Sequence, residues 1–274
     1  MRFVRWGEAG AERPGVLDAA GHVRDLSGVT GDIDGSFLSD LPGIDAESLP
    51  KVEAPRLGPC VAKVGKLVCV GLNYADHAAE GGWDVPTEPV LFMKATSAIS
   101  GPFDPVTLPE GSEKTDWEAE LGLVIGTRAK NVAEGQGEAH VAGYIIVNDV
   151  SERAFQQEMG GQWTKGKSHD TFAPIGPWLV TRDEVPDPLA LSIWTEVDGV
   201  RMQDGHTSTM IFAPGFIVEY VSRFMTLEPG DIISTGTPPG VGMGKSPQVF
   251  LRAGQEMRLG IDGLGEQILP VTAL

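Results

Sequence analysis

Short apolar runs broken by Gly, Pro, Asn or Asp recur along most of this chain, and their spacing predicts strands rather than long helices. Arg2–Trp6 is one such run, and Gly15–Leu26 reads as a second, folded into a hairpin at Ala19-Ala20-Gly21. A polar stretch rich in Gly and Asp follows, punctuated by Pro42, Pro50 and Pro55. The pattern therefore predicts a small N-terminal domain over residues 1–62 and a larger unit over 63–274. In the larger unit, strands are expected at Lys66–Val70, Val90–Met93, Glu118–Ile125, Val141–Val147 and Trp178–Thr181. Leu191–Val197 and Val200–Gln203 flank Asp198-Gly199, a two-residue hairpin signal. Asp231–Ser234, Val249–Leu251, Glu256–Ile261 and Gln267–Val271 complete the set.

Helical periodicity is scarcer. Phe216, Ile217, Tyr220, Val221 and Phe224 fall on one face of an amphipathic helix, and residues 74–80 and 151–159 suit shorter helices. Strands do not alternate regularly with long helices, which argues against a doubly wound sheet and for a β-rich α+β fold.

Composition narrows the function classes. A net charge of −17 makes nucleic acid and anionic membrane surfaces poor partners, and it requires any anionic substrate to meet locally concentrated positive charge. No run approaches the roughly 18 apolar residues that span a bilayer, and the N-terminus lacks a secretory core. Cys60 and Cys69 stand in no metal-like pairing and suit reduced, buried thiols, so a cytoplasmic location is expected.

Candidate chemistry begins in Thr115–Thr127. Alternation along a strand puts Trp117, Ala119, Leu121, Leu123 and Ile125 on one face and Asp116, Glu118 and Glu120 on the other. Carboxylates two residues apart stand roughly 7 Å from each other and repel unless a cation lies between them. A solvent-facing strand edge gives the same pattern. The near-continuous apolar run ending at Val147 delivers Asn148-Asp149 at a buried strand end, where an acid needs a partner. Glu118, Glu120 and Asp149 would make an oxygen-only site suited to Mg²⁺ or Mn²⁺. Asp149 could instead cap the following helix.

Arg153 and Gln156 share a helical face just beyond, and Lys167 follows in a Gly-rich stretch. His77 and Glu80, three residues apart, can hydrogen-bond on one helical turn; this is either a surface pair or a base oriented by a carboxylate. Pro239–Ser246 ends like a phosphate loop, but Pro239 occupies the first glycine position and no helix pattern follows. Ser234–Gly240 leads a strand into a Gly/Pro turn whose N–H groups and hydroxyl could hold a carboxylate, or could serve the turn alone.

These segments occur in the order found in the fumarylacetoacetate hydrolase superfamily, which the chain resembles over about residues 66–274. The motifs are Val70–Glu80, Asp116–Glu120, Asn148–Arg153, Lys165-Gly166-Lys167 and Ser234–Gly242. Phe92–Thr96, Gly161-Gln162-Trp163 and Asp170-Thr171-Phe172 are similar to the branch acting on 2,4-diketo-3-deoxy-L-fuconate or -rhamnonate. His169 departs from that pattern, where a small residue is expected.

The resemblance implies a mixed β-sandwich roll, a homodimer and Mg²⁺ (or Mn²⁺) on Glu118, Glu120 and Asp149. It implies a water-activating dyad of His77 and Glu80, on a segment that often orders only with substrate. Lys167, Arg153 and Gln156 would surround a small anionic diketo acid, Thr237 would hold its carboxylate, and Lys94 would lie nearby. The implied reaction is hydrolysis of a C3–C4 bond to pyruvate and a second acid. Oxaloacetate decarboxylation, acylpyruvase activity and diketo-acid isomerisation are alternatives on the same site.

Overall fold

The computed structural model describes residues 1–53, 55–82 and 84–274. Two large sheets organise the chain. The first has nine strands, in the order Val23–Asp25, Arg13–Leu17, Arg2–Trp6, Leu179–Thr181, Val141–Asn148, Ala119–Ile125, Ile232–Ser234, Leu67–Gly71 and Val90–Lys94. The second has five, in the order Val200–His206, Ser192–Val197, Glu256–Ile261, Gly265–Ala273 and Val106–Leu108. Parallel pairs occur where Ile232–Ser234 meets Leu67–Gly71 and where Gly265–Ala273 meets Val106–Leu108. This is the mixed β-sandwich roll that the resemblance implies.

The middle of the nine-stranded sheet explains why its strands read as apolar runs. Every residue of Ala119–Ile125 is buried, as are all but one of Val141–Asn148, so both faces are covered. Gln267 ties the second sheet to this region by donating to the carbonyls of Ile146, Pro174 and Gly176, each at 3.2 Å. Strands of residues 1–62 are hydrogen-bonded into the same nine-stranded sheet, Arg2 and Phe3 pairing with Val180 and Leu179. The expected Asp198-Gly199 turn closes the Ser192–Val197/Val200–His206 hairpin with positive φ at both residues, 50° and 75°, as its tight twist requires.

Three differences from the sequence pattern matter. The strand expected from Glu118 is broken: Thr115–Asp116 pairs with Ser151–Glu152, and the sheet strand resumes only at Ala119. Val249–Leu251 joins no ladder among the described residues. Its amides serve a loop instead, Val249 N–H donating to Gly242 and Leu251 N–H to Thr115. The helix Pro214–Phe224 starts at a proline, as first turns permit, but it buries Ile217, Val218 and Val221 and leaves Phe216 and Phe224 39% and 62% exposed. Those two rings belong to an outer ladder with Phe212 and Tyr220.

Candidate active site

The central strands converge on a cavity of about 200 Å³. Glu120 comes from the strand Ala119–Ile125 and Glu118 from the break just before it. Val147 opposes Glu120 in the antiparallel register, and Asp149 N–H donates to the Glu118 carbonyl at 2.9 Å. The chain thereby delivers Glu118, Glu120 and Asp149 together. One carboxylate oxygen from each lies within 4.8 Å of the others, and all three residues are buried. The helix that follows is capped by Glu152, whose side chain accepts from Ala154 N–H, so Asp149 is not its cap.

Three carboxylates this close repel one another by about 3 kcal/mol per ionised pair at an effective dielectric near 20. Cations offset that repulsion. Lys167 Nζ donates to Glu118 Oε2 and Asp149 Oδ2, both at 2.7 Å. Lys94 Nζ donates to Asp149 Oδ1 and, at 3.0 Å, to the Val150 carbonyl. Arg153 spans Asp116 Oδ1 and Glu118 Oε1, each at 2.7 Å, and its third nitrogen reaches Gln156 Oε1 at 3.1 Å. Burial alone would raise the Glu118 carboxyl, but Lys167 and Arg153 outweigh it and hold the group well below the usual range. Glu120 goes the other way. Burial raises it first, and the Asp149 and Glu118 charges add to that. Its Oε2 accepts neutral donors, Ser234 Oγ at 2.6 Å and Gly236 N–H at 2.9 Å.

Oxygen donors from three carboxylates, packed this closely and buried, fit a hard divalent cation better than zinc, which prefers imidazole or thiolate. Both cysteines are buried free thiols, and neither joins the three-acid group. Burial pushes the Cys60 thiol up to about 12.

His77 lines the cavity from the helix Ala75–Gly81, and its Nδ1 faces Glu80 Oε2 at 3.1 Å. Glu80 also accepts Gly240 N–H. Thr237 lines the cavity too, but its hydroxyl donates to the Ala119 carbonyl at 2.9 Å and accepts from Gln203 at 2.8 Å. Asn73 pins the turn below: its Oδ1 accepts Phe212 N–H, and its Nδ2 donates to Thr235 and Phe212 carbonyls. Lys94 stays behind Asp149, fully buried, and is not part of the cavity wall.

Several contributors were not singled out as site residues from the sequence. Asp116 anchors Arg153 and accepts Met243 N–H at 2.8 Å; burial raises its carboxyl to about 6 against the pull of Arg153. It was visible only as the third acid on the alternating face. Ser234 and Gln203 act as described above. Phe92, Trp163 and Met243 form the outer wall. His169 is no part of that wall: it packs between Phe155 and Phe172 at ring distances of 5.5 and 5.3 Å.

A deep cavity floored by convergent acids and cations, with an imidazole–carboxylate pair on its side, defines an enzyme site with a place for a metal ion. The chain belongs to the fumarylacetoacetate hydrolase family, whose C-terminal model matches residues 66–272. A Burkholderia ambifaria protein named "Putative hydrolase" is 60% identical over 275 residues, covering 98% of each chain. The fumarylacetoacetate hydrolase structure from psychrophilic Exiguobacterium antarcticum is 36% identical, with a TM-score of 0.90 over 100% of both chains. Maleylpyruvate hydrolase from Sphingobium sp. SYK-6, solved with manganese(II) and pyruvate, is 29% identical with a TM-score of 0.83, covering 100% of this chain and 99% of that one. The similar structures include isomerases as well as hydrolases. Among the described residues, no helix is long and apolar enough to cross a membrane.

Proposed function

We propose that the protein is a divalent-metal-dependent hydrolase that cleaves the C3–C4 bond of a small 2,4-diketo acid, yielding pyruvate and a second carboxylic acid. Glu118, Glu120 and Asp149 would hold the ion, with Mg²⁺ the expected metal and Mn²⁺ a substitute. When bound, such an ion would supply the positive charge that stabilises an enolate developing on a keto acid. The carrying observation is the His77–Glu80 contact at 3.1 Å, with His77 on the wall of a cavity that Glu118 and Glu120 also line and Asp149 beside them.

The chain's own groups then divide the work. Glu80 orients the imidazole through Nδ1, and His77 would take a proton from water. The hydroxide equivalent adds to the C4 carbonyl. Collapse of that adduct breaks the C3–C4 bond, and its electron pair passes to the departing pyruvate enolate. That enolate takes one proton to become pyruvate. Lys167, buried beside the acids, is placed to steady developing oxyanion charge. Arg153 and Gln156 orient the anion, and the Thr237 turn takes its carboxylate.

The expected natural substrate is 2,4-diketo-3-deoxy-L-rhamnonate or -fuconate, in sugar-acid catabolism, with lactate as the second product. The working form would be a cytoplasmic homodimer with a catalytic unit over residues 63–274. Isomerase-type relatives favour a second reading, enol–keto isomerisation without an attacking water. A pyruvate-release assay over 2,4-diketo acids, with and without chelator, tests the choice. Stoichiometric pyruvate and acid, lost with chelator and in His77→Ala, is the expected result. Carbon dioxide release, an isomer in place of pyruvate, or near-normal turnover by His77→Ala would defeat the proposal.

A further inference from the structure

The cavity changes character from floor to mouth. Its inner wall is charged and buried: Glu118, Glu120, Arg153 and Lys167 are all under a tenth exposed. Its outer wall is half-buried and apolar, formed by Leu72, Phe92, Trp163 and Met243. These outer groups are built in. Trp163 stands edge-on to Phe92 at 5.1 Å between ring centres, and the Phe92 ring lies 5.0 Å from Lys167 Nζ. A Cβ on Gly71 would come within 2.9 Å of the Trp163 indole, so the glycine there is what lets the ring close on the strand. Leu72 next to it holds a left-handed backbone, φ 52°, a conformation that costs a branched side chain energy and tends to persist where function uses it.

We infer that these four side chains form an uncharged acyl pocket, which selects diketo acids whose far half carries no second carboxylate. The inference rests on the diketo-acid reading and deepens it. Arg153 already donates through all three nitrogens to Asp116, Glu118 and Gln156, and Lys167 donates to Glu118 and Asp149. A second carboxylate at the mouth would trade water for indole, phenyl and thioether surface. Of the wall groups near that mouth, Gln157 offers a neutral amide donor, which lies 3.2 Å from Met243 Sδ. An alkyl or hydroxyalkyl group loses little there and gains apolar contact.

The discriminating pair is butanoylpyruvate and succinylpyruvate, matched in carbon count and differing by the terminal carboxylate. With Mg²⁺ present, kcat/KM should favour the butanoyl compound by roughly 30-fold or more, the scale of burying an uncompensated polar group. Gln157→Arg, which brings a guanidinium to the mouth, should narrow that ratio at least tenfold by improving the succinyl compound. Trp163→Ala should lower kcat/KM for butanoylpyruvate more than for acetylpyruvate, whose acyl half is one methyl group. Binding of both acylpyruvates is measured by calorimetry alongside. Equal cleavage of the two, or a preference for the succinyl compound, overturns the pocket while leaving hydrolysis intact. Tighter binding of butanoylpyruvate without cleavage of either supports the pocket and removes the hydrolase reading. Equal binding without cleavage overturns both.

Discussion

Gly240 donates its backbone N–H to both carboxylate oxygens of Glu80, at 3.0 and 3.1 Å, while Oε2 of the same carboxylate meets His77 Nδ1. The Gly-rich loop that resembles a phosphate loop in sequence thus orients an acid instead. Two further links hold that loop: Met243 N–H on Asp116 and Lys245 Nζ on the Met202 carbonyl at 2.7 Å. A positive φ of 103° at Gly240, with a Cβ position only 2.2 Å from the Met202 carbonyl oxygen, admits no other residue.

Glu80→Gln follows directly. Glutamine can still accept Gly240 N–H, so the loop keeps its anchor, but the charge that stabilises a protonated imidazole is gone. We expect kcat to fall about 100-fold, the lower end of general-base contributions, with KM and Mn²⁺ affinity nearly unchanged. Steady-state kinetics and metal titration check this; undiminished kcat would remove Glu80 from the mechanism.

Lys167 occupies two of the three proposed metal ligands, so it should compete with the ion it accompanies. Around it, four carboxylates (Asp116, Glu118, Glu120 and Asp149) face three cations (Lys94, Arg153 and Lys167), leaving one formal negative charge in a buried volume. Lys167→Met raises that excess to two. Removing one partner of a buried pair typically costs about 3–5 kcal/mol, so the metal-free variant should melt well below the parent. Mn²⁺ should recover most of the loss and bind the variant at least tenfold more tightly in the absence of substrate. Thermal melts and calorimetry with Mn²⁺ read both effects, while pyruvate release should still be severely impaired. Unchanged metal affinity would mean that Lys167 yields its place without cost.

Much of this site was legible because its chemistry is dense in sequence. Glu118 and Glu120 sit two apart, His77 and Glu80 one turn apart, and Asp149 ends an unmistakable buried strand. What alternation missed is that Ala119–Ile125 is covered on both faces, so the acids point into the protein and not to an edge. The break at Trp117 and Glu118 left no mark in the pattern, since it arises from pairing Thr115–Asp116 with a segment 35 residues away. Asp116 therefore appeared only as a third acid on the face of Glu118 and Glu120, whereas long-range packing makes it the anchor of Arg153. The helix Thr164–Lys167 reads as loop because a Gly in four residues gives no period, yet it aims Lys167. Gly166 is required there: a Cβ would lie 2.3 Å from the Glu152 carbonyl oxygen.

Acid stability should depend on a cluster far from the cavity. Burial works against ionised Asp18, but the backbone N–H of His22 and the side chain of Arg24 prevail and lower its carboxyl to about 2, from 3.8. A carboxyl depressed on folding contributes stability that is fully present above the unfolded value and lost as pH falls through the folded one. Asp18→Asn should therefore lower Tm at pH 7, and the gap to the parent should close between about pH 4 and pH 2. Melting curves across that interval give the answer, and a gap that persists unchanged at pH 2 would assign the effect to shape and not to charge.

The three proposed metal ligands should separate by what else each one holds. Asp149 pairs with both Lys94 and Lys167, so Asp149→Asn strands the Lys94 ammonium and leaves Lys167 paired with Glu118 alone. Such a variant should lose stability even without metal, by the same few kcal/mol expected for breaking a buried ion pair. Glu120 instead accepts from Ser234 and Gly236, which a glutamine oxygen satisfies equally well, and its charge is opposed by Asp149 and Glu118. Glu120→Gln should thus melt at or above the parent temperature when metal-free. In both variants the rise in Tm on adding Mn²⁺, about 2.7 kcal/mol of stabilisation at a hundredfold excess over Kd, should disappear, and pyruvate release with it. Paired melts with and without Mn²⁺ resolve the two effects. A destabilised metal-free Glu120→Gln would show that its carboxylate is held by charge that the present geometry does not contain.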